Sequence, residues 1–192
     1  MIKRLCLFIG LLLLVGCSDE SWRTNDVSDM LPELDFDLVN EDSEAVDETA
    51  YADKATLVYF GFTNCPDVCP IMLATVASAI RQLEEGDRDN LQVLFISVDP
   101  ERDTPSVLQT YTDAFGPEFI GLTGDRADID AVANRYRIAY EYGEKDEHGN
   151  YEVTHSSAVF AFDRHGKAKF MIRDSDSMTS IVADLKNLAS GS

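Results

Sequence analysis

Two cysteines four residues apart are the residues best suited to chemistry in this 192-residue chain. Cys65 and Cys69 stand in Thr63-Asn-Cys-Pro-Asp-Val-Cys-Pro70, after an apolar run and at the start of a segment with helical periodicity. Residues i and i+4 lie on one side of a helix, and a helix N-terminus stabilises a thiolate. An inert disulfide here would close a very small loop and stabilise the domain little. The spacing therefore predicts a reactive thiol pair that closes into a disulfide or holds a soft metal ion.

A histidine far along the chain is the predicted third member of this site. His155 directly precedes an apolar run, residues 158–162, that is typical of a buried strand. A lone histidine at such a place is ordinarily a capping or packing residue, but two thiolates and an imidazole form a soft ligand set that suits Cu(I). Zinc in an open site, with water as the fourth ligand, is the alternative. His148 and His165 lie in polar turns, and no role is predicted for them.

Carboxylates near these residues are predicted to modify the site rather than to bind the ion. Asp99 ends the second apolar run, where a carboxylate could orient a ligand or tune a thiol. Asp67, between the cysteines, would change the local charge. Asp103 and Thr104 are interpreted as helix-start residues, with Thr104 as the N-cap before Pro105. Over the whole chain 35 acidic residues outnumber 16 basic ones, a net charge of −19 that argues against nucleic acid as a partner.

Apolar patterns place these residues in a single α/β domain, for which this chain length is sufficient. Continuous or alternating apolar runs predict strands, and apolar residues three and four apart predict helices. A strand–helix–strand order, followed by a hairpin and a last helix, predicts a central mixed sheet with helices on both faces. The predicted strands are 34–39, 56–62, 92–98, 119–122, 157–162 and 167–172, with a pairing of 140–144 and 151–154, and the predicted helices are 68–83, from 105 onward, 129–137 and 177–188.

The first residues have the pattern of an export signal. Two basic residues precede an apolar run, residues 5–15, which is shorter than the ~20 residues that span a bilayer and is typical of a signal peptide. The following Leu-Val-Gly-Cys resembles a bacterial lipobox and predicts cleavage before Cys17 with a lipid on that cysteine; a plain signal peptide or an uncleaved anchor is the alternative. We therefore predict a signal peptide over 1–16, an acidic tether over 17–33 and a folded domain over 34–192, lipid-anchored on the periplasmic side of a bacterial cell envelope.

Four motifs in this chain together resemble the Sco/SenC family. They are Gly61-Phe-Thr-Asn-Cys-Pro-Asp-Val-Cys-Pro70, Ile96-Ser-Val-Asp-Pro-Glu-Arg-Asp-Thr-Pro105, Gly121-Leu-Thr-Gly124 and Thr154-His-Ser-Ser157. Members of that family are thioredoxin-fold copper proteins that help to assemble the dinuclear copper centre of cytochrome c oxidase. The resemblance implies a copper ion bound by Cys65, Cys69 and His155, with Asp99 similar to an acidic residue near the site. Two residues depart from the family pattern. Asn64 stands where many members have an aromatic or histidine residue, and Thr154 stands where an aspartate is frequent.

The resemblance and the export signal together predict a membrane-tethered copper chaperone, and the sequence leaves open whether the chain is also an enzyme. Its partner would be the copper-bearing subunit of cytochrome c oxidase or another copper or thiol protein. A redox function is the first alternative, because the same sulfurs could form a Cys65–Cys69 disulfide. In that hypothesis the chain is a thiol–disulfide oxidoreductase that reduces the oxidase subunit or another exported protein, with Cys65 attacking and Cys69 resolving. A peroxidase-like antioxidant is the second alternative.

Overall fold

The structure of the protein is a computed structural model that describes residues 21–147 and 151–191. Residues 1–20, 148–150 and 192 lie outside the described part, as does the side chain of His155. The predicted signal peptide, the predicted lipid site at Cys17 and the turn residue His148 therefore fall outside it.

The strands form one large sheet and one small hairpin. In the described residues the strands are β1 (Asn25–Asp26), β2 (Asp37–Asn40), β3 (Ala45–Asp47), β4 (Ala55–Gly61), β5 (Leu91–Ser97), β6 (Phe119–Thr123), β7 (Tyr140–Tyr142), β8 (Val153–His155), β9 (Val159–Phe162) and β10 (Ala168–Ile172). Eight of them form a mixed sheet in the order β1-β10-β9-β4-β5-β6-β2-β3, and β7 pairs with β8 separately. The long apolar runs become the inner strands, because strands covered on both faces need continuous apolar residues.

The carboxyl ends of β4 and β5 meet at one edge of the sheet. The two strands are parallel and in register from Ala55 opposite Leu91 to Gly61 opposite Ser97. Every residue of both strands is buried. On one side β6 continues the parallel pairing, and on the other β9 pairs antiparallel with β4. The loops that follow Gly61 and Ser97 therefore start side by side, at the end of the sheet where open α/β folds bind ligands.

Helices pack on both faces of this sheet, as predicted. They are α1 (Val68–Ile80), α2 (Glu85–Asp89), α3 (Pro105–Thr112), α4 (Arg126–Arg135) and α5 (Met178–Ser190). Consecutive strand residues point to opposite faces. The ring centroid of Tyr59 lies 6.2 Å from that of Phe95, which lies 5.2 Å from Tyr111 on α3, whereas the next residue, Phe60, lies 6.3 Å from Tyr136 at the end of α4. None of the described helices combines the length and apolar character needed to cross a bilayer.

The predicted sheet and helices are confirmed, with shifts of a few residues at their ends. The elements that the prediction missed are short and lack an apolar pattern. One is α2, which buries none of its side chains. The others are β1, β3 and the 3-10 turn Glu48–Tyr51, of which only Tyr51 is buried. Elements of this kind are held by tertiary contacts, so periodicity cannot reveal them.

Part of the segment before residue 34 belongs to the folded body, which corrects the predicted tether. Strand β1 pairs antiparallel with β10, and the ring of Trp22 lies 4.8 Å from that of Phe170. The buried carboxylate of Asp184 on α5 accepts hydrogen bonds from the backbone N–H groups of Arg23 and Thr24 at 3.0 and 2.8 Å. The prediction missed this attachment because a carboxylate 160 residues after Thr24 leaves no local pattern in the sequence.

Candidate metal centre

The two cysteines lie together where β4 leads into α1. Cys65 is in the connecting residues 62–67, which we call the cysteine turn, and Cys69 is in the first turn of α1. The backbone N–H of Cys69 lies 3.4 Å from the Cys65 sulfur, to which it donates a hydrogen bond. Both side chains are buried, with exposed fractions of 8% for Cys65 and 0% for Cys69. No disulfide joins them in the described structure. The structure thus brings the predicted pair together at the helix N-terminus. Asp67, between them, is exposed and makes no side-chain capping hydrogen bond.

Burial dominates the electrostatics of Cys69. It raises the pKa of this thiol to about 12, although the Phe62 N–H lowers it by donating a hydrogen bond to the sulfur. A hydrogen bond with Cys65 raises the pKa further, and one from the Tyr59 hydroxyl lowers it. The stabilisation of a thiolate at the helix N-terminus, predicted from the sequence, is therefore outweighed by desolvation at this sulfur. Cys69 keeps its proton at neutral pH unless a cation compensates the thiolate charge.

Gly61, the last residue of β4, leaves the space that the Cys69 side chain occupies. A Cβ atom at this position would lie 2.8 Å from Cε2 of Phe95, 3.0 Å from the Cys69 sulfur and 3.1 Å from Cε1 of Tyr59. Two aromatic rings and a sulfur packed in the core cannot all withdraw by several tenths of an ångström without strain. Glycine at this position therefore permits the close approach of α1 to the end of β4.

Replacing Gly61 with alanine is expected to destabilise the reduced protein by about 1–3 kcal/mol through overpacking. Urea denaturation of the wild type and the variant measures this loss. Gly86→Ala on α2 is the matched control, since nothing lies within 4 Å of a Cβ atom there. It should be neutral or stabilise the chain by up to about 1 kcal/mol, because alanine favours a helix more than glycine does. Equal losses in both variants would contradict the close-approach argument.

The buried carboxylate of Asp103 positions the cysteine turn, although the sequence predicted this residue only as part of a helix start. Asp103 accepts hydrogen bonds from the backbone N–H of Thr63 at 2.9 Å, from the Thr63 hydroxyl at 2.6 Å and from the Ser97 hydroxyl at 2.6 Å. Burial raises the pKa of this carboxyl group. Asp103 therefore ties the turn to the end of β5 instead of serving only the start of α3. Thr104 holds the N-cap position there, but its side chain makes no capping hydrogen bond.

Asp99 also follows β5, and its carboxylate contacts the hairpin β7–β8. It is fully buried, pairs with the guanidinium of Arg102 and accepts a hydrogen bond from the Tyr151 hydroxyl at 2.6 Å. These partners attach the residues that precede β8 to the loop after β5. That Asp99 orients a metal ligand or tunes a thiol stays a prediction, as does the effect of Asp67 on the charge of the site.

The hairpin that carries His155 docks at the end of the sheet where the cysteine turn lies. Strands β7 and β8 pair antiparallel with Tyr140 opposite His155, which confirms the predicted pairing. The Tyr142 hydroxyl donates a hydrogen bond to the carbonyl of Val98, whose own N–H donates to the carbonyl of Gly61 at 2.8 Å. The hairpin therefore touches the residue that directly follows β5, next to the end of β4.

The structure describes the side chains of two of the three predicted metal ligands. Cys65 and Cys69 are together, and the backbone of His155 lies on the docked hairpin, while its imidazole is outside the described part. Among the side chains that the structure describes, no three His, Cys, Asp or Glu residues are grouped as a metal site. His165 is exposed in the turn between β9 and β10. Two neighbouring sulfurs suit a soft ion such as Cu(I), which thiolates select.

A family model and several known proteins are similar to this chain. A family model described as SCO1/SenC matches residues 28–190. An SCO2-like protein of Rickettsia felis is 38% identical over 134 residues, which cover 69% of this chain and 65% of that protein, so the chain spans less than two thirds of this relative's length. Among solved structures, Arabidopsis thaliana ScoI with copper bound is 32% identical with a TM-score of 0.74, covering 82% of this chain and 98% of that one. Bradyrhizobium japonicum ScoI with copper bound is 33% identical with a TM-score of 0.70, covering 81% and 98%.

These likenesses agree with the geometry described above. The copper-bound structures cover four fifths of this chain, and the family model runs from just after β1 to the end of α5. A match of that extent cannot come from the cysteine motif alone, since the motif occupies only one turn of the fold. The chain therefore belongs to the SCO1/SenC family, and its fold is thioredoxin-like.

Proposed function

We propose that this chain is a copper chaperone that holds a copper ion through Cys65, Cys69 and His155 and passes it to the copper-bearing subunit of cytochrome c oxidase. One observation carries the proposal: Cys65 and Cys69 are hydrogen-bonded neighbours just after the end of β4, and the strand that bears His155 belongs to a hairpin docked at that same end. Copper bound to two structures similar to this chain supports the identity of the ion.

The environment of the thiols suits a transferable copper ion. Thiolates are soft ligands that favour Cu(I), and the apolar surroundings of Cys69 keep water from competing for the ion. Copper displaces the proton that Cys69 otherwise retains. Cys65 is the more exposed of the two sulfurs, so an incoming thiolate or imidazole of the partner reaches the ion from that side. Transfer then proceeds by exchange of one ligand at a time, without a change in the oxidation state of copper.

The proposal includes an anchored location. After removal of residues 1–16, a lipid on Cys17 holds the chain on the periplasmic side of a bacterial envelope. A few residues then separate the lipid from Trp22, where the folded body begins. Mass spectrometry of the mature N-terminus tests this part, and an unmodified Cys17 would contradict it.

Copper titration of the reduced protein tests the copper-binding function. We expect one Cu(I) per chain in competition with a chelator of known affinity. His155→Ala should weaken binding by at least about tenfold, which is ~1.4 kcal/mol. His165→Ala is the matched control, because His165 is an exposed histidine at a distant turn, and it should leave the affinity unchanged. Absence of stoichiometric binding, or an equal loss in both histidine variants, would disprove the proposed site.

The unequal burial of the two sulfurs favours a second candidate function, thiol–disulfide exchange. The Cys65 thiolate would attack a partner disulfide and form a mixed disulfide, releasing one partner thiol. The Cys69 thiolate would then displace the second partner sulfur, which leaves a Cys65–Cys69 disulfide and a reduced partner after transfer of two electrons. Equilibration with glutathione buffers measures the reduction potential of the pair. His155→Ala should leave this exchange unchanged, which separates it from copper binding.

A further inference from the structure

One arginine touches both the cysteine turn and the hairpin that carries His155. The guanidinium carbon of Arg102 lies 3.8 Å from the ring centroid of Tyr151, just before β8, and 5.7 Å from that of Phe62, in the cysteine turn. A guanidinium stacks favourably on an aromatic face, and more so where water is excluded. Arg102 therefore joins two segments that are almost ninety residues apart in the chain, a contact that no local sequence pattern encodes.

Arg102, Asp99 and Tyr151 form a group in which each residue contacts the other two. Its Nε atom pairs with Asp99, and its Nη1 atom donates a hydrogen bond to the backbone carbonyl of Tyr151 at 3.1 Å. The Tyr151 hydroxyl donates to the other oxygen of Asp99 at 2.6 Å. Asp99 is 0% exposed and Tyr151 9% exposed. Each member thus holds the other two, and removal of the arginine would leave a buried carboxylate without its cation.

We propose that Arg102 is a positioning residue for the metal centre. Through Tyr151 and Asp99 it fixes the hairpin against the cysteine turn, and so keeps the strand that bears His155 at the end of the sheet where the two sulfurs lie. This inference rests on the proposed copper site for its effect on affinity. The attachment of the hairpin itself can be measured without copper, because the contacts that carry it join protein groups only.

The other contacts of the hairpin attach it elsewhere. The guanidinium of Arg126 lies 4.1 Å from the ring centroid of Tyr142, and the Tyr140 hydroxyl donates a hydrogen bond to Asp130. Both contacts join the hairpin to α4, not to the cysteine turn. Lys145 pairs with Glu101 at 3.0 Å, but both side chains are more than half exposed, and such pairs contribute little. The Tyr142 hydroxyl reaches Val98 after β5, not the cysteine turn. A lysine at position 102 would retain the charge but could not donate two hydrogen bonds in a planar fork while stacking on a ring. Arg102→Lys therefore removes the geometry and keeps the charge.

Hydrogen exchange of the hairpin amides in the reduced, copper-free protein tests the attachment. In Arg102→Lys the amides of β7 and β8 should exchange at least about tenfold faster than in the wild type, because local opening becomes easier. Arg135→Lys is the matched control, since Arg135 pairs with Asp35 at a partly exposed site elsewhere. Tyr151→Phe, which removes only the hydroxyl, is a milder variant and should show a smaller acceleration. Unchanged exchange in both Arg102→Lys and Tyr151→Phe would overturn the inference.

A double-mutant cycle separates positioning from a general loss of stability. If Arg102 acts through His155, the Cu(I) affinity of Arg102→Lys should fall to within about threefold of His155→Ala, and the double variant should bind no more weakly than His155→Ala. Additive losses would show that Arg102 acts independently of the histidine and would overturn the positioning role. Failure of the wild type to bind copper would instead reject the proposed function, and the exchange measurement would still decide whether Arg102 holds the hairpin.

Discussion

Replacing Cys69 with serine is expected to weaken Cu(I) binding by more than about a thousandfold, or ~4 kcal/mol. A hydroxyl is a hard, weakly acidic donor, whereas Cu(I) selects thiolates. Serine is close to cysteine in shape, and the Phe62 N–H and Tyr59 hydroxyl that meet the sulfur can hydrogen-bond its oxygen. The fold should therefore persist while the affinity falls. Competition with a chelator of known Cu(I) affinity, alongside the unfolding midpoint in urea, measures both quantities.

The corresponding Cys65→Ser variant completes this experiment. It should lose a similar part of the affinity, because two thiolates are needed to hold Cu(I) in the proposed site. Its stability should change less than that of Cys69→Ser, since Cys65 is 8% exposed and Cys69 is fully buried. Retention of tight copper binding in either serine variant would show that the ion is held elsewhere.

Copper affinity is expected to rise steeply with pH. Burial raises the pKa of Cys69 to about 12, so its thiol is protonated throughout the physiological range and must lose a proton when copper binds. This one proton makes the apparent affinity rise about tenfold per pH unit, or about a hundredfold from pH 6 to pH 8. Titrations at three pH values, corrected for protonation of the competing chelator, test the slope. A pH-independent affinity would contradict a protonated Cys69.

The same thiol makes the stability of the copper-free protein depend on pH in the alkaline range. Its folded pKa is raised above the ordinary value of 9.0, so the folded chain keeps this proton more firmly than the unfolded chain. The protonated thiol therefore contributes fully to the free energy of unfolding below pH 9, and this contribution is lost as the pH rises from 9 towards 12. Unfolding midpoints of the reduced wild type should therefore decline faster across this window than those of Cys69→Ser, which has no thiol to ionise at that position.

The central strands and the cysteine pair could be predicted because their signals are local. Every residue of β4 and β5 is buried, and a strand covered on both faces consists of a nearly continuous run of apolar residues. Cys65 and Cys69 are four residues apart at the start of a helix, and residues with that spacing lie on the same side of a helix. In such cases neighbouring residues specify the element, and distant parts of the chain add little to the prediction.

The roles of several charged residues could not be predicted because each depends on distant donors. Asp103 has the position of a helix-start residue, yet it accepts hydrogen bonds from Thr63, 40 residues earlier. Asp184 lies on the last helix, yet it anchors the chain at Arg23 and Thr24. A buried carboxylate is stable only where donors surround it, and the sequence does not state which donors the fold assembles.

Residue types and local spacing were enough to predict the candidate chemistry of this chain: a four-spaced cysteine pair at a strand-to-helix turn, a later histidine before a strand, and the α/β order that carries them. Those features depend on residue type and on spacing over a few positions, which the chain states directly. Only the folded chain shows how the cysteine turn and the histidine-bearing hairpin come to lie at one end of the sheet. Asp103 holds the turn, and Arg102 lies between Phe62 and Tyr151. The physical reason is that buried charges and stacked rings are stabilised by whichever segments the folded backbone brings into contact, not by their neighbours in sequence.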